Sequence, residues 1–401
     1  MTGRSDSAKP DSGGVEAPLF PDRRWDIDWL RTVAVLLLVP YHTARLFDTW
    51  DPFYVKNQQL SDGLSHWLIP LGTAVGMQLL FLLSGSATWL ALGVRRARRY
   101  AGERFLRLLV PFVFGLLVLV PPQTYLGLRS HSNYNEAFLA YYPQFFEFHP
   151  DDFEGYTQGG LTPAHLWFIL FLFLFALVSL PLFLSLRRPA GQRVTGALGS
   201  VFARPGMLLL LAVPFIVLER LLDRYEDPLL MFTYFLAFFW VGYLLMTDRR
   251  FDYAIDQHKR TALLLGPVLW IVLRAIPGAA QPEWLVDALA SVYNRGFFTW
   301  FTIIAILGYG KKYLTRPNRF LGYFGEAAYP FYIIHQTVLV AVGFLIVQWQ
   351  IGIAGKYLTV ALATYVGTTL AYELLVRRLT ISRFFFGLKA RRKDRAPGAV
   401  N

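Results

Sequence analysis

Residues 26–45 read DIDWLRTVAVLLLVPYHTAR, and no formal charge falls between Arg31 and Arg45. An apolar run of this length, opened by charge, is a membrane-crossing segment: roughly 20 mostly apolar residues cover the ~30 Å of hydrocarbon in a bilayer. Comparable runs follow at about 65–92, 106–122, 164–186, 206–222, 229–247, 261–277, 284–308, 326–349 and 355–376. Inside lipid every backbone polar group must be satisfied within the element, so runs of this length are helices. The expectation is an all-α, polytopic bundle of about ten transmembrane helices.

Composition agrees. Charged residues are 16% of the 401 and apolar residues 55%, whereas about a quarter of a soluble chain is charged. The net charge of +12 invites a nucleic-acid partner, but its distribution argues against one. If residue 1 lies in the cytoplasm and the spans alternate, 30 of the 39 Lys and Arg fall on the cytoplasmic side, five on the opposite side and four inside spans. That is the positive-inside pattern; it places both termini in the cytoplasm and makes the lipid bilayer the partner of the basic loops.

Residues 1–24 are polar, with no apolar core, and read as a disordered cytoplasmic tail and not a cleaved signal. One membrane domain fills 25–385, and 386–401 form a basic cytoplasmic tail. There is no cysteine, which excludes disulfides, thiol catalysis and cysteine metal sites, and no metal is implied. The one long connection, about 123–163, is extracytoplasmic and rich in aromatic and polar residues, Tyr125, Tyr134 and Tyr141 among them. It reads either as a stacking platform for a sugar or as an interfacial aromatic belt.

Ionisable groups inside a span are expensive and are functional candidates by default. In the first span Asp28 and Arg31 are one turn apart and can pair. Pro40 should break the helix and free a backbone carbonyl near His42. His42 lies beyond the middle of the span, where a neutral imidazole can accept a proton. Eleven residues, about 16 Å of helix, separate it from Arg31, a span comparable with a phosphopantetheine arm. Arg104 and Arg107 share a helix face at the same depth as Arg31 and suit phosphate oxygens; plain anchoring is the alternative. A guanidinium mouth at the inner surface holding acyl-coenzyme A, with the thioester beside His42, fits this spacing.

Two further segments are polar where lipid-facing residues would be apolar. Gln78, in the stretch that continues to Ser84 and Gly85, either lets a neighbouring backbone approach or meets substrate. Tyr332 and His335 share a face in a later span, with Tyr329 and Gln336 beside them; His335 is either a helper in the site or a packing histidine. His165 and Trp167 open the fourth span at the outer surface. Tyr329, His165, Trp167 and Gln78 are the candidates for substrate binding. Asp48 and Glu219 are candidates for an acid partner of His42.

In these residues the chain resembles the acyltransferase 3 family of membrane proteins, nearest to its glucan biosynthesis protein C branch. The resemblance rests on Arg31 and His42 in the first span, on residues 79–85 (LLFLLSG), and on Arg104, Arg107 and Pro111. Residues 165–168 (HLWF), 331–335 (FYIIH) and the closing stretches 372–374 and 383–387 extend it, in order, over about 24–390. Ser86 departs from the pattern, which usually has an aromatic residue there. The resemblance implies an acyl-coenzyme A donor, with an acetyl or succinyl group, and an O-acylated extracytoplasmic glycan as product, made in a bacterial-type inner membrane. It gives His42 the role of general base or of covalent acyl acceptor, with Tyr332 and His335 orienting it or polarising the carbonyl. A proton-coupled transporter of a glycan or small molecule is the alternative that buried charge and a broken first helix also suit. A homo-oligomer is left open.

Overall fold

The computed structural model describes residues 24–50, 52–147, 158–221, 228–275 and 296–389; the two expected tails lie almost entirely outside these. Among the described residues the chain is helical and forms no strand. Four helical segments are each long and apolar enough to cross a membrane: Leu64–Val94, Ala97–His131, Arg319–Ile346 and Ile353–Val376. Two bent pairs, Ala164–Val178 with Leu180–Leu186 (49°) and Met231–Leu245 with Arg249–Ala275 (108°), bring the number to six if each crosses once. The other runs read from the sequence are shorter helices or fall partly outside the described residues.

The first run is two pieces, α1 (Trp25–Leu36) and α2 (Leu38–Ala44), parted at Leu37. Pro40 has no N–H to give to the carbonyl four residues back, which is Leu36 O. The Tyr365 hydroxyl donates to that oxygen at 2.7 Å. The freed carbonyl therefore lies below His42 and is capped by a distant helix.

The same solution recurs twice. The second run is α3 (Ile69–Val94), and the third is α4 (Ala97–Arg104), a π turn at Phe105–Leu109, then α5 (Val110–Val118) and α6 (Val120–His131). Pro111 withholds an N–H from Arg107 O, to which the Tyr329 hydroxyl donates at 2.7 Å. Pro121 withholds one from Leu117 O, to which the Tyr142 hydroxyl donates at 2.9 Å. Prolines are tolerated in membrane helices when neighbouring side chains satisfy the orphaned carbonyls, and here three tyrosines do so.

Tight helix pairing comes from small residues. Continuing along the chain are α7 (Trp167–Val178), α8 (Leu180–Leu186), α9 (Pro189–Phe202), α10 (Ala212–Leu221) and α11 (Pro228–Leu245). α3 and α11 meet through two glycines: a Cβ on Gly85 would fall 1.9 Å from Phe239 O, and one on Gly242 would fall 1.9 Å from Leu82 O. Ser86 Oγ donates across the same seam to Gly242 O at 2.9 Å. The departure from the family pattern at Ser86 is thus a contact that an aromatic ring would not make.

α12 (Arg249–Leu263), α13 (Leu269–Ala275) and α14 (Phe298–Tyr313) lead to α15 (Arg319–Ile346) and α16 (Ile353–Ala371). α2 packs against both α15 and α16, which sets the start of the domain against its end. The rings offered by the long connection are largely spent on one another. Tyr125 packs on Tyr134 and Tyr141, and the buried Tyr141 hydroxyl pairs with Thr124 and Gly159 O.

Candidate active site

Three histidines from distant parts of the chain converge. His42 of α2 lies 5.4 Å from His335 of α15, and His335 lies 5.3 Å from His165, ring centroid to centroid. His165 and His335 are buried and His42 is partly so. His165 reaches the cluster because the chain turns sharply before it. Ala164 has φ = 48°, in the left-handed region that a side chain disfavours. Thr162 Oγ1 accepts its N–H at 3.1 Å.

Backbone carbonyls set the protonation pattern. His335 Nδ1 lies 2.6 Å from Tyr332 O, and His165 Nε2 lies 3.0 Å from Ile333 O. A carbonyl only accepts, so in the neutral rings those nitrogens carry the hydrogens and leave lone pairs on His335 Nε2 and His165 Nδ1. Both of these atoms are buried with no hydrogen-bond partner among the described residues, and so is His42 Nδ1. Three unpartnered imidazole nitrogens inside an apolar bundle stand ready to handle a proton. The Tyr332 hydroxyl donates to His165 O and ties α15 to the turn that carries His165.

The remaining candidates divide. Gln78 is buried; its amide donates to Thr73 O, and its Oε1 is without a partner. Thr73 is hydrogen bonded to Tyr41, the neighbour of His42. Trp167 turns instead into an aromatic group with Phe81, Phe171 and Phe235. Tyr329, which sequence reasoning set beside His335, bonds to Arg107 O. It is six residues from His335, about 9 Å along the helix.

The arginines lie toward the other end of α1 and α15. Arg31 pairs with Asp28 on its own helix at 3.1 Å. Arg104 lies over the Tyr100 ring at 4.7 Å.

The Phe53 ring and the cations around Asp48 were not legible in the sequence. Phe53 stacks on His42, 6.1 Å away and inclined by 15°, and the Arg45 guanidinium lies 5.8 Å from the centroid of the same ring. Asp48 is fully buried and held by Arg45 at 2.8 Å and by Lys56. Both of its carboxylate oxygens are therefore taken by cations, and it forms a local ion cluster next to α2 and not a partner for the His42 ring. The Glu219 side chain lies outside the described residues.

A family model described as an acyltransferase domain, acyltransferase 3, matches residues 24–373. The chain belongs to the acyltransferase 3 family. No curated protein and no solved structure matches it significantly. The matched region contains all three histidines and all three arginines. Its apolar helices and this membership make the acyltransferase a multi-pass integral membrane protein.

Proposed function

We propose that this acyltransferase moves an acetyl or succinyl group from cytoplasmic acyl-coenzyme A to a hydroxyl of an extracytoplasmic glycan. The observation that carries the reading is the histidine cluster, in which one ring nitrogen of each histidine is buried with no partner among the described residues. The positive-inside charge pattern gives the orientation: Arg31, Arg104 and Arg107 face the cytoplasmic leaflet, and α2 runs outward past His42.

In the reaction the glycan hydroxyl passes its proton to the His42 imidazole as its oxygen attacks the thioester carbonyl. The carbon–sulfur bond then breaks, and the leaving thiolate takes the proton back from the imidazolium. The products are the O-acyl glycan and free coenzyme A. General-base assistance of this kind contributes about 10²–10⁴-fold to a rate. His335 and His165, with their hydrogens fixed by backbone carbonyls, orient His42 and share its transient positive charge. The arginines bind the coenzyme A phosphates, a task suited to guanidinium forks.

The test uses purified protein in detergent, radiolabelled acetyl- or succinyl-coenzyme A, and an oligosaccharide acceptor. Label is expected on the glycan with the wild type and not with His42→Ala, which should still insert and purify normally. Full transfer by His42→Ala would overturn the mechanism. Absence of transfer by the wild type, together with sugar counterflow in vesicles, would favour the transporter.

A further inference from the structure

A cavity of about 590 Å³ opens at the end of the bundle opposite the arginines, between the segment that follows α2 and the turn that joins α15 to α16. Its lining is unlike the rest of the apolar bundle. It presents five carboxamides, Asn57 and Gln348 among them, the indole of Trp349, and the two cations Lys56 and Lys356, and among the described residues no carboxylate lines it. Trp349 is about half exposed.

The floor is built and not incidental. Lys356 is buried, and its ammonium donates to Asn57 Oδ1 at 2.8 Å and to Val347 O at 2.7 Å, bridging the two walls. Asn57 N donates to Leu46 O at 2.8 Å, and Lys56 is tied to Asp48. Two wall residues are near neighbours in the chain of residues that touch α2. Phe53, stacked on His42, is three residues before Lys56, and Tyr357, next to Lys356, donates to Pro40 O at 3.0 Å.

We infer that this cavity binds a remote sugar unit of the acceptor chain, and that it favours an oligosaccharide bearing an anionic group over a neutral one or a monosaccharide. The inference rests on the proposed transfer to a glycan. Carboxamides and ammonium groups bond hydroxyls, a flat indole covers the apolar face of a sugar ring, and pockets pair such apolar walls with a few polar groups. Lys356 adds a positive charge that no carboxylate among the described lining residues offsets.

The separation fixes the chain length. Phe344, in the cavity wall, is nine residues beyond His335 on α15, about 14 Å along the helix. A single sugar presenting its hydroxyl to His42 does not extend that far, so the cavity holds a later unit of the same chain. Binding energy gained there is available to hold the reacting unit in place, which is why a truncated acceptor should lose rate as well as affinity.

Titration calorimetry on the full chain in detergent, without acyl donor, tests this directly. The probes are glucose, a linear gluco-tetrasaccharide, and the same tetrasaccharide oxidised to a carboxylate at its reducing end. The tetrasaccharide should bind at least tenfold more tightly than glucose, and the carboxylate form several-fold more tightly still. Trp349→Ala, on an exposed turn, should weaken tetrasaccharide binding about tenfold, and Lys356→Gln should remove the preference for the carboxylate. Equal binding of glucose and tetrasaccharide, no binding of either, or an unaffected Trp349→Ala would each overturn the inference. Normal sugar binding without acyl transfer would instead overturn the proposed reaction and leave the cavity assignment standing.

Discussion

His42 and His335 face each other with ring centroids 5.4 Å apart, although one lies near the start of the chain and the other near its end. The contact depends on α2 packing against α15. Tyr332 O holds the His335 Nδ1 and leaves Nε2 buried with no partner among the described residues, which favours the proposed role beside His42 over packing alone. His335→Gln should therefore lower the single-turnover rate of acyl transfer by about a hundredfold. The KM for acyl-coenzyme A should change by much less, since the arginines lie elsewhere. Parallel losses in donor affinity and rate would assign His335 to packing.

The tyrosine caps on proline-orphaned carbonyls give a second expectation. Tyr365→Phe keeps the ring and removes only the hydroxyl that bonds Leu36 O. Leaving that carbonyl unsatisfied inside the bundle should destabilise the protein by about 1–3 kcal/mol, read as a lower unfolding temperature in detergent. Tyr329→Phe should destabilise by a similar amount through Arg107 O. It should also raise the KM for acyl-coenzyme A, because it loosens the π turn that presents Arg107.

The α3–α11 seam is testable with methyl groups. Gly85→Ala and Gly242→Ala each place a Cβ 1.9 Å from a carbonyl oxygen of the other helix, so the helices must separate. Overpacking of this kind destabilises by about 1–3 kcal/mol or more. Gly76→Ala, on α3 with nothing within 4 Å of its added Cβ, is the control and should not lower the unfolding temperature. Equal behaviour of all three variants would contradict the close approach.

The sequence announced those features whose cost in a membrane is local. An imidazole in an apolar run is conspicuous wherever it ends up, so His42 and His335 were both legible, and Gly85 was legible as a small residue at an approach. Their partners were not. Nothing in the pattern around Gly242 or Tyr365 says which distant backbone they will meet. His165 read as the opening of the fourth span, but its contact with His335 did not, because the left-handed turn at Ala164 before it leaves no mark in composition. Trp167, two residues on, follows the helix into an aromatic cluster. Phe53 lies in a connection without periodicity, so its stacking on His42 had no signal to give. The ten apolar runs were plain, but whether a run is one helix or two depends on where prolines fall and on what caps the carbonyls they free.

The turn at Ala164 supplies a test that separates stability from activity. A residue with a Cβ at φ = 48° carries strain of about 1–2 kcal/mol relative to an ordinary conformation. Glycine adopts that φ freely, so Ala164→Gly relieves the strain but also lets the unfolded chain and the turn explore more conformations. The two effects on stability nearly cancel, and the unfolding temperature should move by only a few degrees. Activity should respond more strongly, because the turn positions His165 through the Ile333 O and Tyr332 contacts. A several-fold loss of kcat with little change in unfolding temperature is expected from steady-state transfer assays beside thermal scans. A loss of stability in proportion to the loss of rate would show instead that the turn only holds the fold together.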